Sequence, residues 1–195
     1  MRKLIIVVSG PSGSGKTTLI NSLFRDKFCS QKLVRSVSAT TRPQRTGEKE
    51  GIHYFFLSEP EFLRRRRAKK ILEWTKYLGY YYGTPKEFVE EQFARGKGVI
   101  LCLDFRGAIR IRNLYPKETV AIFVTPGSLA SLPERMEKRC SKTAPEEIKR
   151  RIRLAQQELK NAHEYNYCVI NEDLKTAVHD FKKIIKNEIR KRLKQ

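Results

Sequence analysis

The sequence predicts an α/β fold with a central parallel sheet, and three observations carry that reading. A short apolar segment, Leu4 to Val8, runs into the glycine-rich stretch Ser9-Gly10-Pro11-Ser12-Gly13-Ser14-Gly15-Lys16-Thr17 and from there into a helix-like segment. Strand-like and helix-like patterns then alternate, as they do where crossover helices cover a parallel sheet. Between residues 36 and 82 the pattern changes to short aromatic strands with tight turns, which marks an insertion with its own small sheet.

Taken in order, strands are predicted at 3–8, 34–38, 53–57, 71–77, 98–104, 119–124 and 167–170. Ser58 and Glu61 form a capping box that opens one helix. Thr84, Pro85 and Glu87 supply a cap, a first-turn proline and a box partner for the next, which Gly96 closes. A long helix is predicted from Pro145 to about His163, and the last is an amphipathic segment with Val178, Phe181, Ile185, Ile189 and Leu193 as its apolar stripe.

Composition sets the class. A chain of 195 residues, 39% hydrophobic and 32% charged, can bury a core without disulfide staples. No apolar run reaches the length of a membrane span, and the first one is broken too early by Ser9 and Gly10 to be a signal peptide, so a cytoplasmic protein is expected. Cys29, Cys102, Cys140 and Cys168 are scattered singly and are expected to be reduced. His53, His163 and His179 lack metal-ligand spacing. The net charge of +20 suits anionic ligands. Along the last helix, however, the lysines and arginines read as a solvated face, and a dedicated nucleic-acid role is not expected.

The glycine-rich stretch has the spacing G-x-x-x-x-G-K-T of a phosphate-binding loop. Gly10, Pro11, Ser12, Gly13, Ser14 and Gly15 let backbone N–H groups turn toward phosphate oxygens, and the following helix adds the positive end of its dipole. Lys16 reaches the outer phosphates, and Thr17, followed by Thr18, offers a hydroxyl to Mg²⁺. A nucleoside triphosphate is the expected ligand.

The insertion holds a second constellation, Ser38-Ala39-Thr40-Thr41-Arg42-Pro43-Gln44-Arg45-Thr46-Gly47-Glu48, followed by Gly51-Ile52-His53-Tyr54-Phe55-Phe56. Two arginines three apart with a tyrosine beyond them can clamp a phosphate. Here the chain resembles the guanylate kinase family, whose pattern T-T-R-x-x-R-x-G-E-x-x-G-x-x-Y-x-F is met at every position. Ile71-Leu72-Glu73-Trp74 and Gly79-Tyr80-Tyr81-Tyr82-Gly83-Thr84-Pro85 resemble its second nucleotide-site element. The likeness runs from the phosphate-binding loop to Asn171.

The resemblance implies a P-loop kinase fold with a central parallel sheet, an inserted GMP-binding region with a small mixed sheet, and a helical lid. Its core would be residues 1–35, 86–127 and 156–195, its GMP-binding region 36–85 and its lid 128–155. It also implies transfer of the γ-phosphoryl group of ATP to GMP, with Mg²⁺. By the same likeness Arg42, Arg45, Tyr54 and Tyr82 hold the GMP phosphate, Ser38, Glu73, Thr84 and Asp104 line the guanine pocket, and Glu48 and Gly83 belong to that site. Arg135, Arg139 and Arg151 match the lid arginines that, with Lys16 and Arg42, would serve the transfer, and Asn171 matches an asparagine near the adenine. The chemistry of Glu73 agrees, because an ionised carboxylate only accepts hydrogen bonds and guanine offers adjacent N1–H and N2–H₂ donors. A catalytically silent, protein-binding relative is the alternative, but such modules lose nucleotide contacts that Lys16, Thr17, Arg42, Arg45 and Glu73 retain here.

The chain departs from the family at Cys102-Leu103-Asp104-Phe105-Arg106-Gly107, where Asp-Ile-Asp and then, after one residue, Gln-Gly are usual. Strand alternation puts 102 and 104 on one face, toward the site, with Leu101 and Leu103 in the core. Arg139 is followed by Cys140 where a lid glycine is usual.

Overall fold

The computed structural model describes residues 1–77, 79–128, 132 and 145–194, with 145–152 described as backbone only. Arg135, Arg139 and Cys140 therefore lie outside the described residues, as does the side chain of Arg151.

Five parallel strands form the central sheet, β1 (Ile5–Ser9), β2 (Leu33–Arg35), β7 (Gly98–Cys102), β8 (Thr119–Pro126) and β9 (Tyr167–Asn171), in the order β2-β7-β1-β8-β9. Both faces of β1 are buried, which is why its sequence is an unbroken apolar run. Its alternating side chains serve two cores. Leu4, Ile6 and Val8 pack with Leu19, Ile20 and Leu23 of α1 (Lys16–Phe24) and with Phe181, Ile185 and Ile189 of the C-terminal helix, here α7 (Leu174–Leu193). Ile5 and Val7 pack on the opposite face with Val89 of α4 (Lys86–Ala94) and Ala108 and Ile111 of α5 (Phe105–Leu114).

The insertion is a second, mixed sheet of β3 (Ser38–Thr40), β4 (Tyr54–Phe56), β5 (Ile71–Tyr77) and β6 (Tyr80–Pro85), in the order β4-β3-β6-β5. The pair β3 and β4 is parallel and the other pairs are antiparallel. One face carries Ala39, Phe55 and Tyr81 against Phe62 of α3 (Glu59–Arg67). Ser38, Thr40, Tyr54 and Tyr82 belong to the other face by register. The remaining helices are α2 (Lys27–Lys32) and α6 (Pro145–Lys160), the latter followed by a 3₁₀ turn at Ala162–Glu164.

Several expectations need correction. The strand predicted at 34–38 is two strands in two sheets, because the chain crosses between them at Ser36 and Val37. Thr84 does not cap α4. It lies within β6, its hydroxyl is bonded to Glu73, and Pro85 occupies the cap position without a side-chain bond. The strand predicted at 98–104 stops at Cys102, since Asp104 has left the sheet to cap α5 through Gly107 N at 2.8 Å. Strand alternation therefore does not govern Asp104. The stripe of α7 is buried at Phe181, Ile185 and Ile189, but Leu193 in the last turn is exposed. Cys29, Cys102 and Cys168 are free thiols. Among the described residues no helix is long and apolar enough to cross a membrane.

Candidate active site

The phosphate-binding loop leaves the carboxyl end of β1 and is fixed by close approaches that exclude side chains. A Cβ on Gly10, at φ 137°, would lie 2.0 Å from the Val124 carbonyl oxygen, and one on Gly15, at φ 93°, would lie 2.1 Å from Asn171 Nδ2. Glycine is needed at both positions for space as well as for φ. Asn171, buried at the end of β9, donates from Nδ2 to the Ser14 carbonyl at 2.7 Å, so the last strand of the sheet holds the loop's middle. Ser9 Oγ donates to the Leu103 carbonyl at 2.8 Å and ties the loop's root to the end of β7. Lys16 Nζ donates to the Gly10 and Pro11 carbonyls at 2.5 and 2.7 Å, which places the ammonium over the loop. Thr17 and Thr18 follow in the first turn of α1, where no acidic residue competes with an anion.

In the small sheet, Arg42 is 9% exposed and donates to Glu48 Oε1 and to the Pro43 carbonyl, each at 2.7 Å. Glu48 Oε2 accepts the Arg45 backbone N–H at 2.9 Å, so one carboxylate organises both arginines of the motif. Its hydrogen bond to Arg42 holds the Glu48 carboxyl below its usual range and pushes the Arg42 guanidinium further up. The guanidinium lies 5.4 Å from the Tyr54 ring centroid, and Tyr54 and Tyr82 meet edge to face at 6.0 Å. Arginine and two phenols thus converge at one end of this face.

At the other end Glu73 is 4% exposed and accepts the Thr84 hydroxyl on Oε1 at 2.6 Å. Burial raises its pKa to about 7, and the Asp104 charge adds to the rise, while Thr84 and the Arg110 guanidinium oppose it. Arg110 Nε also donates to the Leu72 carbonyl at 2.8 Å, pinning β5 onto α5. Gly107 separates the two acids: a Cβ there would lie 3.0 Å from Glu73 Oε2 and 3.3 Å from Asp104 Oδ1.

A family model described as guanylate kinase matches residues 1–188. The chain belongs to the guanylate kinase family. A guanylate kinase of Caldanaerobacter subterraneus subsp. tengcongensis is 43% identical over 182 residues, covering 93% of this chain and 86% of the relative. One of Carboxydothermus hydrogenoformans is 40% identical over 185 residues, covering 95% and 88%. The crystal structure of guanylate kinase from Anaplasma phagocytophilum aligns with TM-score 0.72 at 29% identity, over 96% of this chain and 86% of that one. The kinase is an ATP:GMP phosphotransferase that uses Mg²⁺.

Among the described residues no cluster of His, Cys, Asp and Glu forms a metal cage. A magnesium ion carried mainly by nucleotide phosphates needs few protein ligands. Thr17, the second residue of α1, carries a hydroxyl at the end of the loop. Cys102 pairs in register with Val8 at the end of β7 and is exposed, while Leu101 is buried and Leu103 packs on the core, as the alternation predicts. A thiol there is a soft donor and supplies no hard oxygen.

One acid of the site has no motif to mark it in the sequence. Glu158 of α6 is half-buried and its pKa is raised by burial, with Lys16 opposing the rise and Asp104 adding to it. Its position was legible in principle: it lies one helical turn after Ala155, which packs with Leu132, so an acid occupies an inward-facing position.

Proposed function

We propose that each half of the site holds one substrate of the transfer from ATP to GMP, with dGMP as a second acceptor. The observation that carries this reading is the buried Glu73, bonded to Thr84 and set across the small sheet from Arg42, Tyr54 and Tyr82. A carboxylate at one end and a guanidinium with two phenols at the other suit a base with two adjacent donors and a phosphate. Adenine would meet Glu73 with the N1 lone pair and leave the acid unsatisfied, which supplies discrimination by repulsion.

In this reading Arg42, Arg45, Tyr54 and Tyr82 take the acceptor phosphate and Glu48 orients both arginines. Ser38, Glu73, Gly83, Thr84 and Asp104 form the guanine end. Residues Gly10 to Thr18 hold the ATP phosphates, Lys16 neutralises charge on the transferring group, and Asn171 keeps the loop in place beside the adenine. Thr17 would hold Mg²⁺ together with the nucleotide phosphates, and the ion would supply charge neutralisation there. Arg135, Arg139 and Arg151 close over the donor and displace water that would otherwise accept the phosphoryl group. The acceptor oxygen is already ionised at neutral pH, so positioning and electrostatics suffice without a general base.

The division into a core of 1–35, 86–127 and 156–195, a GMP region of 36–85 and a lid of 128–155 belongs to the same proposal, as does cytoplasmic placement beside the nucleotide pool. A coupled assay with GMP, dGMP, AMP and UMP at fixed ATP tests it. GMP and dGMP should turn over and AMP and UMP should not; equal use of AMP would overturn the role given to Glu73.

A further inference from the structure

The outer surface of α7 and the start of β9 enclose a groove of about 620 Å³, lined by none of the residues of the two nucleotide sites. Lys183, Arg190, Lys191 and Lys194 line it, with Tyr167 of β9 and Ile184, which pack against the core. A second hollow of about 240 Å³ shares Lys183 and Arg190 and adds Lys182 and His179. Asp180 is an acid in the lining, yet none of Lys182, Lys183, Arg190 and Lys194 has an ion-pair partner among the described residues. The nearby cations that are paired, Lys186 with Asp26 and Lys191 and Arg192 with Glu188, serve to fix the helix.

We propose that this groove binds a single strand of nucleic acid through its phosphodiester backbone. Lys183, Arg190 and Lys194 are spaced by whole turns on one side of α7 and span roughly 16 Å, long enough for several nucleotides. Tyr167 lines the same groove with its ring packed on the core and its hydroxyl bonded to Glu188 Oε1 at 2.9 Å, so binding rests on the cationic track, which follows a strand's backbone. The surface expected from sequence to be merely solvated is thus a concave track, a property that helical periodicity alone does not reveal. A second copy of the chain is repelled by the same charge, since the protein carries +20. A bilayer is flat, and the apolar residues Phe181, Ile185 and Ile189 are buried in the core and are not available for insertion.

The test is fluorescence anisotropy with labelled dodecamers of uridylate and of thymidylate, titrated from 50 to 200 mM salt in saturating GMP and ADP. The parent should bind both, because the contacts are to the backbone. Lys183→Gln/Arg190→Gln/Lys194→Gln should weaken binding by about tenfold and reduce the salt slope by about 2, near 0.7 per lost phosphate contact. Arg67→Gln/Lys69→Gln/Lys117→Gln removes equal charge from exposed positions elsewhere and should bind like the parent. Both variants should retain the parent's melting temperature and GMP turnover. Absence of parent binding, equal losses in the two variants, or unchanged binding by the groove variant would each overturn the proposal. Binding to phosphatidylserine vesicles that depends on the three groove residues, with no binding to either dodecamer, would assign the groove to lipid instead.

Discussion

The Thr84 hydroxyl donates to Glu73 Oε1 at 2.6 Å between two strands of the inserted sheet. The bond fixes one oxygen of a buried acid, and Gly107 leaves room beside the other. Glu73 therefore combines a costly environment with a defined orientation, the arrangement expected of a group whose partner is a ligand.

Its titration predicts a pH dependence. Glu73 has a pKa of about 7 in the fold against an ordinary 4.5, so the folded protein binds the extra proton between those values. This acid therefore costs no stability below about pH 4.5, and its cost grows as pH rises and is complete above about pH 7. Guanine needs the ionised form, so GMP binding near pH 6 should release a proton and weaken as pH falls. Calorimetry in buffers of different ionisation enthalpy measures the release. Because the phosphate of GMP itself titrates near pH 6, the quantity to compare is the difference between the parent and Glu73→Gln. Equal proton release by the two proteins would remove Glu73 from the guanine site.

Asn171→Ala removes the donor to the Ser14 carbonyl while leaving the small sheet untouched. Loss of a buried bond of this kind costs about 1 to 3 kcal/mol. Chemical denaturation should show that loss, and the KM for ATP should rise with the KM for GMP unchanged. Equal rises in both would mean that the clamp acts on the whole fold.

Cys102→Asp introduces a hard oxygen ligand at the exposed end of β7, next to the root of the phosphate-binding loop. The variant should reach half-maximal activity at a lower Mg²⁺ concentration than the parent, with GMP affinity unchanged. Identical magnesium midpoints at saturating ATP and GMP would make Cys102 a spectator.

The loop and the arginine motif were legible because glycine spacing and charge pattern are local properties. The continuous apolar run of β1 likewise announced a strand buried on both faces. Thr-Pro-x-Glu at Thr84 satisfies the local rule for a helix cap, and only the pairing of β6 with β5 shows that the Thr84 hydroxyl faces Glu73. Strand alternation carries no information at Asp104, because the chain has already turned into α5 there. The link from Asn171 to Ser14 joins residues far apart in the chain, so sequence spacing carries no trace of it. Glu158 required the inward face of α6 to be known before an acid there became conspicuous.

The central claim is that a buried carboxylate reads guanine, and the most direct measurement is kcat/KM for GMP in Glu73→Gln, with ATP affinity followed in parallel. The amide presents a donor where the carboxylate accepted, so kcat/KM for GMP should fall by the equivalent of about 2 to 4 kcal/mol. ATP affinity should stay at the parent's value, since Glu73 lies in the inserted sheet and the phosphate-binding loop is unchanged. Undiminished kcat/KM for GMP in this variant would contradict the account.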